Sequence, residues 1–179
     1  MKFKCIFANQ IYGLILEENE ENDLHELERI LDLWNDVEYL KDFFDNNKQL
    51  IINNPYLPDI NSIHDFIEQI FDETEKLEML IEEHSENDTF EEFFNFLNKN
   101  VNNENKDLRK ARQDILRIYG IKLELENQYI ISGGAIKVVK EMKDHPDTQE
   151  QLDILNQLKT FIKDNNILDI DSLISYMEE

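Results

Sequence analysis

The fold is decided by residues 114–146, DILRIYGIKLELENQYIISGGAIKVVKEMKDHP. This stretch contains two β-rich runs, residues 115–124 and 128–136, with the turn signal Glu126-Asn127 between them. Two such runs joined by turn chemistry predict a pair of antiparallel strands. Two adjacent glycines near the end of the second run predict a bulge or the close approach of another segment.

The rest of the chain predicts β structure at the N-terminus and helices elsewhere. Residues 2–8 and 11–16 are short, β-branched and aromatic, so they predict one kinked strand or a small hairpin. Apolar residues then recur at helical spacing through the acidic residues 23–98. An Asn-rich segment, residues 98–107, is the best candidate for a flexible boundary, and two helices are expected after the central stretch.

Together these elements predict an α+β fold in a single domain, residues 1–179. We expect a small antiparallel sheet made of the N-terminal strand and residues 115–137. An acidic helical insertion is expected at residues 23–98, and a β unit with C-terminal helices at residues 107–179. The helical spacing also predicts that five aromatic side chains are largely buried: Trp34, Phe44, Phe66, Phe71 and Phe94.

The net charge is −22, from 18 Lys and Arg against 40 Asp and Glu. This charge argues against a general nucleic-acid binder, because phosphate contact needs clustered cations. It allows a local basic patch, a basic partner, mimicry of a polyanion, or simply a surface that confers solubility. The lone Cys5, expected in a strand core, excludes a disulfide framework. Without an apolar span or a signal-peptide pattern, we expect no membrane segment and a cytoplasmic protein.

The cations are concentrated in one segment of the chain. Residues 101–143 carry a net charge of +3, whereas residues 1–100 carry −18 and residues 144–179 carry −7. Eight basic residues fall within 35 positions: Arg109, Lys110, Arg112, Arg117, Lys122, Lys137, Lys140 and Lys143. On paired strands, Arg117 and Lys137 are expected to project from one face, where such cations bind phosphate oxygens. The alternative is that these residues neutralise the acidic helices within the fold.

No motif predicts a metal or a cofactor. The acidic pairs fit the solvated faces of helices. The four histidines lack the spacing of a metal-binding motif: His25, His64, His84 and His145. The chain has no phosphate-binding glycine loop and no nucleophile elbow. We therefore expect no metal site and no cofactor.

Three short motifs carry a resemblance to a known family. They are Leu116-Arg117-Ile118-Tyr119, the segment from Tyr129 to Lys137, and the basic segment from Lys140 to Pro146. Residues 116–152 thereby resemble the C-terminal half of toxins in the RelE/ParE superfamily, HigB-type branch. The chain order of strand, helices, strands and helix also fits that fold. The whole sequence further resembles an uncharacterised bacterial family with a shared GGAIK core.

The resemblance implies the toxin component of a type II toxin-antitoxin system. Such a toxin is a metal-independent endoribonuclease that cleaves messenger RNA on the ribosome and is neutralised by a helix-turn-helix antitoxin. By position, Arg117 would hold the scissile phosphate, with Lys137 and Lys140 assisting, and we expect these three side chains to converge on a concave, positive surface. Further RNA contacts are expected from Arg109, Arg112, Tyr119, Lys122 and Lys143.

A second hypothesis comes from a different class of function. The protein would be a non-enzymatic interaction protein, whose acidic helices bind a basic partner or mimic nucleic acid. The first hypothesis depends on the few cations of residues 101–143, and the second depends on the many acids outside them.

Overall fold

The two β-rich runs are neighbouring antiparallel strands, as predicted. The computed structural model describes residues 1–179 and places these strands in one six-stranded sheet. The strands are β1 (Lys2–Phe7), β2 (Ile11–Ile15), β3 (Asn95–Phe96), β4 (Leu108–Arg112), β5 (Leu116–Lys122) and β6 (Tyr129–Ile136). Their order across the sheet is β1-β2-β6-β5-β4-β3. β2 and β6 run parallel, and every other neighbouring pair is antiparallel.

Six helices cover both faces of this sheet, which confirms the α+β class. They are α1 (Glu26–Trp34), α2 (Val37–Ile51), α3 (Ile63–Asn87), α4 (Phe90–Phe93), α5 (Pro146–Asp164) and α6 (Ile170–Glu178). Helices α1 to α4 pack on one face around a core of 24 buried residues. Helices α5 and α6 pack on the other face around a second core of 15 buried residues. None of the helices combines the length and the apolar character needed to cross a bilayer.

The two glycines of β6 explain how helices approach the sheet from both sides. Gly133 has a φ of +149°, and a Cβ atom there would collide with Oε1 of Gln151 in α5. A Cβ atom on Gly134 would instead lie 3.0 Å from Cη2 of Trp34, in α1. The absence of both side chains therefore lets α5 and α1 pack directly against opposite faces of β6. The β5–β6 pairing also has a register shift, after Tyr119.

Most of the expected aromatic residues are buried. Trp34, Phe44, Phe66 and Phe94 are at most 4% exposed, whereas Phe71 is half-buried and packs against the edge of the first core. The expectation for Cys5 is wrong, because its side chain is exposed on the edge strand β1. Cys5 shares a face with the buried Phe3 and stands opposite Tyr12, so its exposure comes from its place on the outermost strand and not from strand alternation.

The sheet is larger than expected and is not purely antiparallel. Residues 2–7 and 11–15 form a hairpin rather than one kinked strand, and β2 of this hairpin joins β6 in parallel. The segment after α4 supplies two strands that were not predicted, β3 and β4. Residues 97–107 connect these two strands, so the Asn-rich segment is a hairpin loop within the sheet and not a boundary.

Candidate nucleic-acid interface

Four basic side chains converge on one face of the sheet: Lys110, Arg112, Arg117 and Lys137, here called the basic cluster. Arg112 and Arg117 are directly opposite each other on β4 and β5. Arg117 is in turn opposite Ala135 on β6, and Lys137 stands two positions beyond Ala135. Because side chains on a strand alternate between faces, Lys110 and Lys137 project to the same side as the two arginines.

The face that carries the basic cluster is the one covered by α5 and α6. Leu108, Tyr119 and Ala135 follow the same alternation as the four cations, and all three belong to the core beneath these helices. The acidic helices α1 to α4 pack on the opposite face. The basic cluster and the acidic helical layer are therefore separated by the sheet.

None of the four cations forms an ion pair with an acidic side chain. The interpretation that they neutralise the acidic helices requires such pairs, so the structure does not support it. Glu73 of α3 is a buried acid, but it does not pair with a cation. Its carboxylate accepts hydrogen bonds from the backbone amides of Ile115 and Leu116. Burial raises the pKa of Glu73 against the opposing effect of these hydrogen bonds.

Arg117 is held in place by the backbone. Its Nη1 atom donates hydrogen bonds to the carbonyl oxygens of Gln113 and Leu116, the latter at 2.8 Å. The residue is only 8% exposed, and burial together with the charge of Arg112 lowers its pKa. Since a guanidinium carries five N–H donors, Nε and Nη2 remain without a partner in the protein. Arg117 is thus a fixed cation with a free two-nitrogen edge.

The two lysines of the basic cluster are easier to deprotonate than free lysine. Burial, reinforced by the charges of Lys137 and Arg117, lowers the pKa of Lys110 to about 8. Its Nζ atom donates to the carbonyl oxygen of Leu97 at 3.1 Å. Burial and then Arg117 also lower the pKa of Lys137, while Glu141 acts in the opposite direction. The Lys137 side chain makes no hydrogen bond or ion pair within the protein.

Tyr119 does not contribute an accessible ring to this surface. It is 1% exposed, which corrects its assignment as an RNA contact. Its hydroxyl has no hydrogen-bond partner in the protein, and burial raises its pKa to about 12. Tyr119 stands opposite Gly133, against which Gln151 of α5 packs with a second unpartnered buried atom, Oε1. The hydroxyl is therefore a neutral, buried donor in the layer below the cations.

The remaining predicted contacts lie apart from the basic cluster. Lys122 is at the opposite end of β5 from Arg117, and Arg109 projects from the other face of β4. Lys143 is exposed in a short 3₁₀ turn (Met142–Asp144) before α5. Lys140 is exposed in the loop after β6 and is not among the charges that shift the pKa of Arg117 or Lys137.

Two surface cavities lie away from the basic cluster. A cavity of about 470 Å³ lies along the outer side of α5, around Asn156 and Phe161. A second, of about 330 Å³, lies between α2 and the start of α5, around Asn47 and His145. Neither cavity is lined by a residue of the basic cluster. No three His, Cys, Asp or Glu side chains are grouped so that they could hold a metal ion.

The chain matches no protein-family model, no curated protein and no solved structure. The sequence predicts Arg112, Arg117 and Lys137 as site residues but not Lys110, because the sequence does not predict strand β4. The spacing of two between Lys110 and Arg112 is the signal that places both on one face of a strand.

Proposed function

We propose that the basic cluster binds the phosphate of an RNA strand, and that the protein is a RelE-like toxin acting on messenger RNA at the ribosome. The observation that supports this is the convergence of four cations without an acidic partner in a chain of net charge −22. Like charges held together repel one another, so a bound polyanion would relieve this repulsion. Phosphate is the anion whose recognition uses converging Arg and Lys side chains.

The arrangement fits stabilisation of a pentacovalent phosphate. Arg117 would donate from its free Nε and Nη2 edge to two phosphate oxygens, in the bidentate geometry that guanidinium favours. Lys137 would add a point charge beside it, and the exposed Arg112 a second guanidinium. Cations fixed before the reaction stabilise charge that develops in the transition state without reorganising.

Lys110 is the candidate proton donor. In the proposed cleavage the 2′-oxygen attacks phosphorus, the bond from phosphorus to the 5′-oxygen breaks, and a 2′,3′-cyclic phosphate and a 5′-hydroxyl result. An ammonium with a pKa of about 8 can protonate the leaving 5′-oxygen near neutral pH. The basic cluster holds no base for the 2′-hydroxyl proton, so the proposal places that base in the complex of ribosome and RNA.

The order of the secondary-structure elements also supports the proposed RelE-like function, which implies an antitoxin partner. The chain runs through strands, helices, strands and helices, as the RelE/ParE resemblance implies. Of the three residues carried over from the family motif, Arg117 and Lys137 are close neighbours on one face, whereas Lys140 lies in the loop after β6. A helix-turn-helix antitoxin would cover the basic cluster in the cytoplasm until the toxin is released.

The decisive experiment combines a growth assay with ribosome-dependent cleavage. Lys137→Met removes one charge but no hydrogen bond of the folded chain. Lys76→Met is the matched control, since it removes one charge from the exposed side of α3, on the other side of the sheet. We expect the wild type and Lys76→Met to arrest growth and cleave messenger RNA on translating ribosomes. The Lys137→Met variant should cleave at least about ten-fold more slowly.

Two results would count against the proposal. One is absence of cleavage by the wild type when translating ribosomes are supplied. The other is equal activity of the two lysine variants. Arg117→Ala is a weaker test, because it would leave the carbonyl oxygens of Gln113 and Leu116 without their donor and so destabilise the fold.

The non-enzymatic interaction protein remains a second candidate. Only four of the 40 acidic side chains form ion pairs with a lysine or an arginine, so the helical layer presents a largely uncompensated negative surface. A basic protein partner would bind that layer through charge complementarity. Binding of such a partner should persist in Lys137→Met and weaken when acids of α2 and α3 are neutralised.

A further inference from the structure

Phe96 and Arg109 form an aromatic–guanidinium pair at the edge of the sheet. They stand directly opposite each other on β3 and β4. The Cζ atom of Arg109 lies 4.1 Å from the centre of the Phe96 ring. Nε of Arg109 donates to the carbonyl oxygen of Lys106 at 3.0 Å, which holds the guanidinium over the ring. The pair is thus an ordered feature of the edge strand.

Phe96 is unusual among the phenylalanines of this chain. It is 45% exposed, whereas each of the other ten phenylalanines is buried or half-buried in the two cores. Burial in a core is the usual position of phenylalanine, because leaving the ring in water forfeits about 25 cal/mol for each Å² of apolar surface. With Arg109 over the ring, the exposed ring surface is a flat apolar platform beside a positive charge.

The platform lies at the edge of the sheet beside β4, on the face opposite to the basic cluster. Arg109 precedes Lys110 in β4, and the Nζ atom of Lys110 is bonded to the carbonyl oxygen of Leu97, the residue after Phe96. β3 is the outermost strand, so no further strand separates Phe96 from solvent. An RNA strand whose phosphate lies on the basic cluster can therefore pass around this edge and bring a neighbouring base to the ring.

We propose that Phe96, backed by Arg109, is a stacking site for a nucleobase adjacent to the phosphate bound by the basic cluster. The inference rests on the proposed RNA-binding function and adds a subsite to it. Unstacked bases are commonly bound on aromatic rings and guanidinium planes, and such stacking accepts any base because each has a π face. The site would therefore add affinity for single-stranded RNA without selecting a sequence.

Fluorescence anisotropy with the full chain tests this site. The probe is a fluorescein-labelled, eight-nucleotide 2′-O-methyl RNA, which cannot be cleaved through its 2′ position. Phe96→Leu keeps an apolar side chain but removes the π face, and Phe96→Trp restores a larger one. Leu125→Ala is the control, because Leu125 is also exposed (58%) but lies in the β5–β6 turn, remote from the basic cluster.

We expect Phe96→Leu to weaken binding about ten-fold and Phe96→Trp to bind at least as well as the wild type. The slope of log affinity against log salt should not change in Phe96→Leu, because the slope counts phosphate contacts. In Lys137→Met the slope should become less steep. With an abasic oligonucleotide of the same length, Phe96→Leu and the wild type should bind equally.

The outcomes separate the stacking site from the function on which it rests. Suppose that the wild type binds the RNA and that its salt slope becomes less steep in Lys137→Met. If Phe96→Leu then binds the RNA with the same affinity as Leu125→Ala, the stacking site is refuted and the basic cluster stands. If Phe96→Leu weakens binding of the abasic oligonucleotide as much as binding of the intact RNA, the ring does not stack on a base. If the wild type does not bind RNA at all, both inferences are overturned.

Discussion

Replacing Gly133 with alanine tests the packing that positions α5 over the sheet. The φ of +149° at this residue is a conformation that non-glycine residues rarely adopt, which costs about 1–3 kcal/mol. The new Cβ would also collide with Oε1 of Gln151, and overpacking of this kind typically costs about 1–3 kcal/mol. Together these effects predict a loss of about 4 kcal/mol in the free energy of unfolding. In a domain of this size, that corresponds to a decrease in Tm of about 8–16 °C.

A double-mutant cycle separates the two effects. Gln151→Ala removes the amide that blocks the new Cβ, and the Oε1 atom it deletes has no hydrogen-bond partner to lose. In the Gln151→Ala background, Gly133→Ala should therefore cost only the backbone strain, about 1–3 kcal/mol. Urea denaturation followed by circular dichroism gives all four free energies by linear extrapolation.

The cycle can refute the reasoning in two ways. A cost below about 1 kcal/mol for Gly133→Ala would mean that neither strain nor collision operates. An equal cost in both backgrounds would mean that α5 is free to move away, so that the glycine is not required for its close packing.

Three further predictions concern buried and exposed side chains. Glu73→Ala should destabilise the protein by about 3 kcal/mol in urea denaturation, because two amides at the start of β5 lose their acceptor, whereas exposed Glu75→Ala should cost less than about 0.5 kcal/mol. Since the pKa of Lys110 is about 8 in the fold and 10.5 in free lysine, the unfolded chain binds more protons between these values. As pH rises from 8 to 10.5, the free energy of unfolding should therefore increase more for the wild type than for Lys110→Met. Parallel curves of unfolding free energy against pH would contradict this. Cys5 should react with a maleimide in the folded protein as fast as in denaturant, and protection would contradict its exposure.

Local patterns in the sequence predicted the centre of the sheet but not its extent. The β5–β6 hairpin was predictable because β-branched residues flank a clear turn. Strand β4 has the sequence LRKAR, which is mostly charged and lacks the β-branched and aromatic residues typical of a strand, and β3 is only two residues long. The parallel pairing of β2 with β6 joins distant segments, so no local pattern encodes it.

The candidate site was predicted in part for the same reason. Charge counting located the basic segment, and the predicted hairpin placed Arg117 beside Lys137. The orientation of the remaining cations depends on strand β4, which puts Lys110 and Arg109 on opposite faces. Burial of Tyr119 depends on the docking of α5 and α6, which the strand sequence does not specify.

The parallel pairing of β2 with β6 bears on when a newly made chain acquires its site. Ile11 pairs with Tyr129, so the N-terminal hairpin has no place in the sheet until most of the chain has been synthesised. The four cations also lie on or just after the last three strands, and they assemble only when β6 has emerged. Under the proposed function, a nascent chain would therefore be inert towards the ribosome that is translating it until most of the chain has been synthesised.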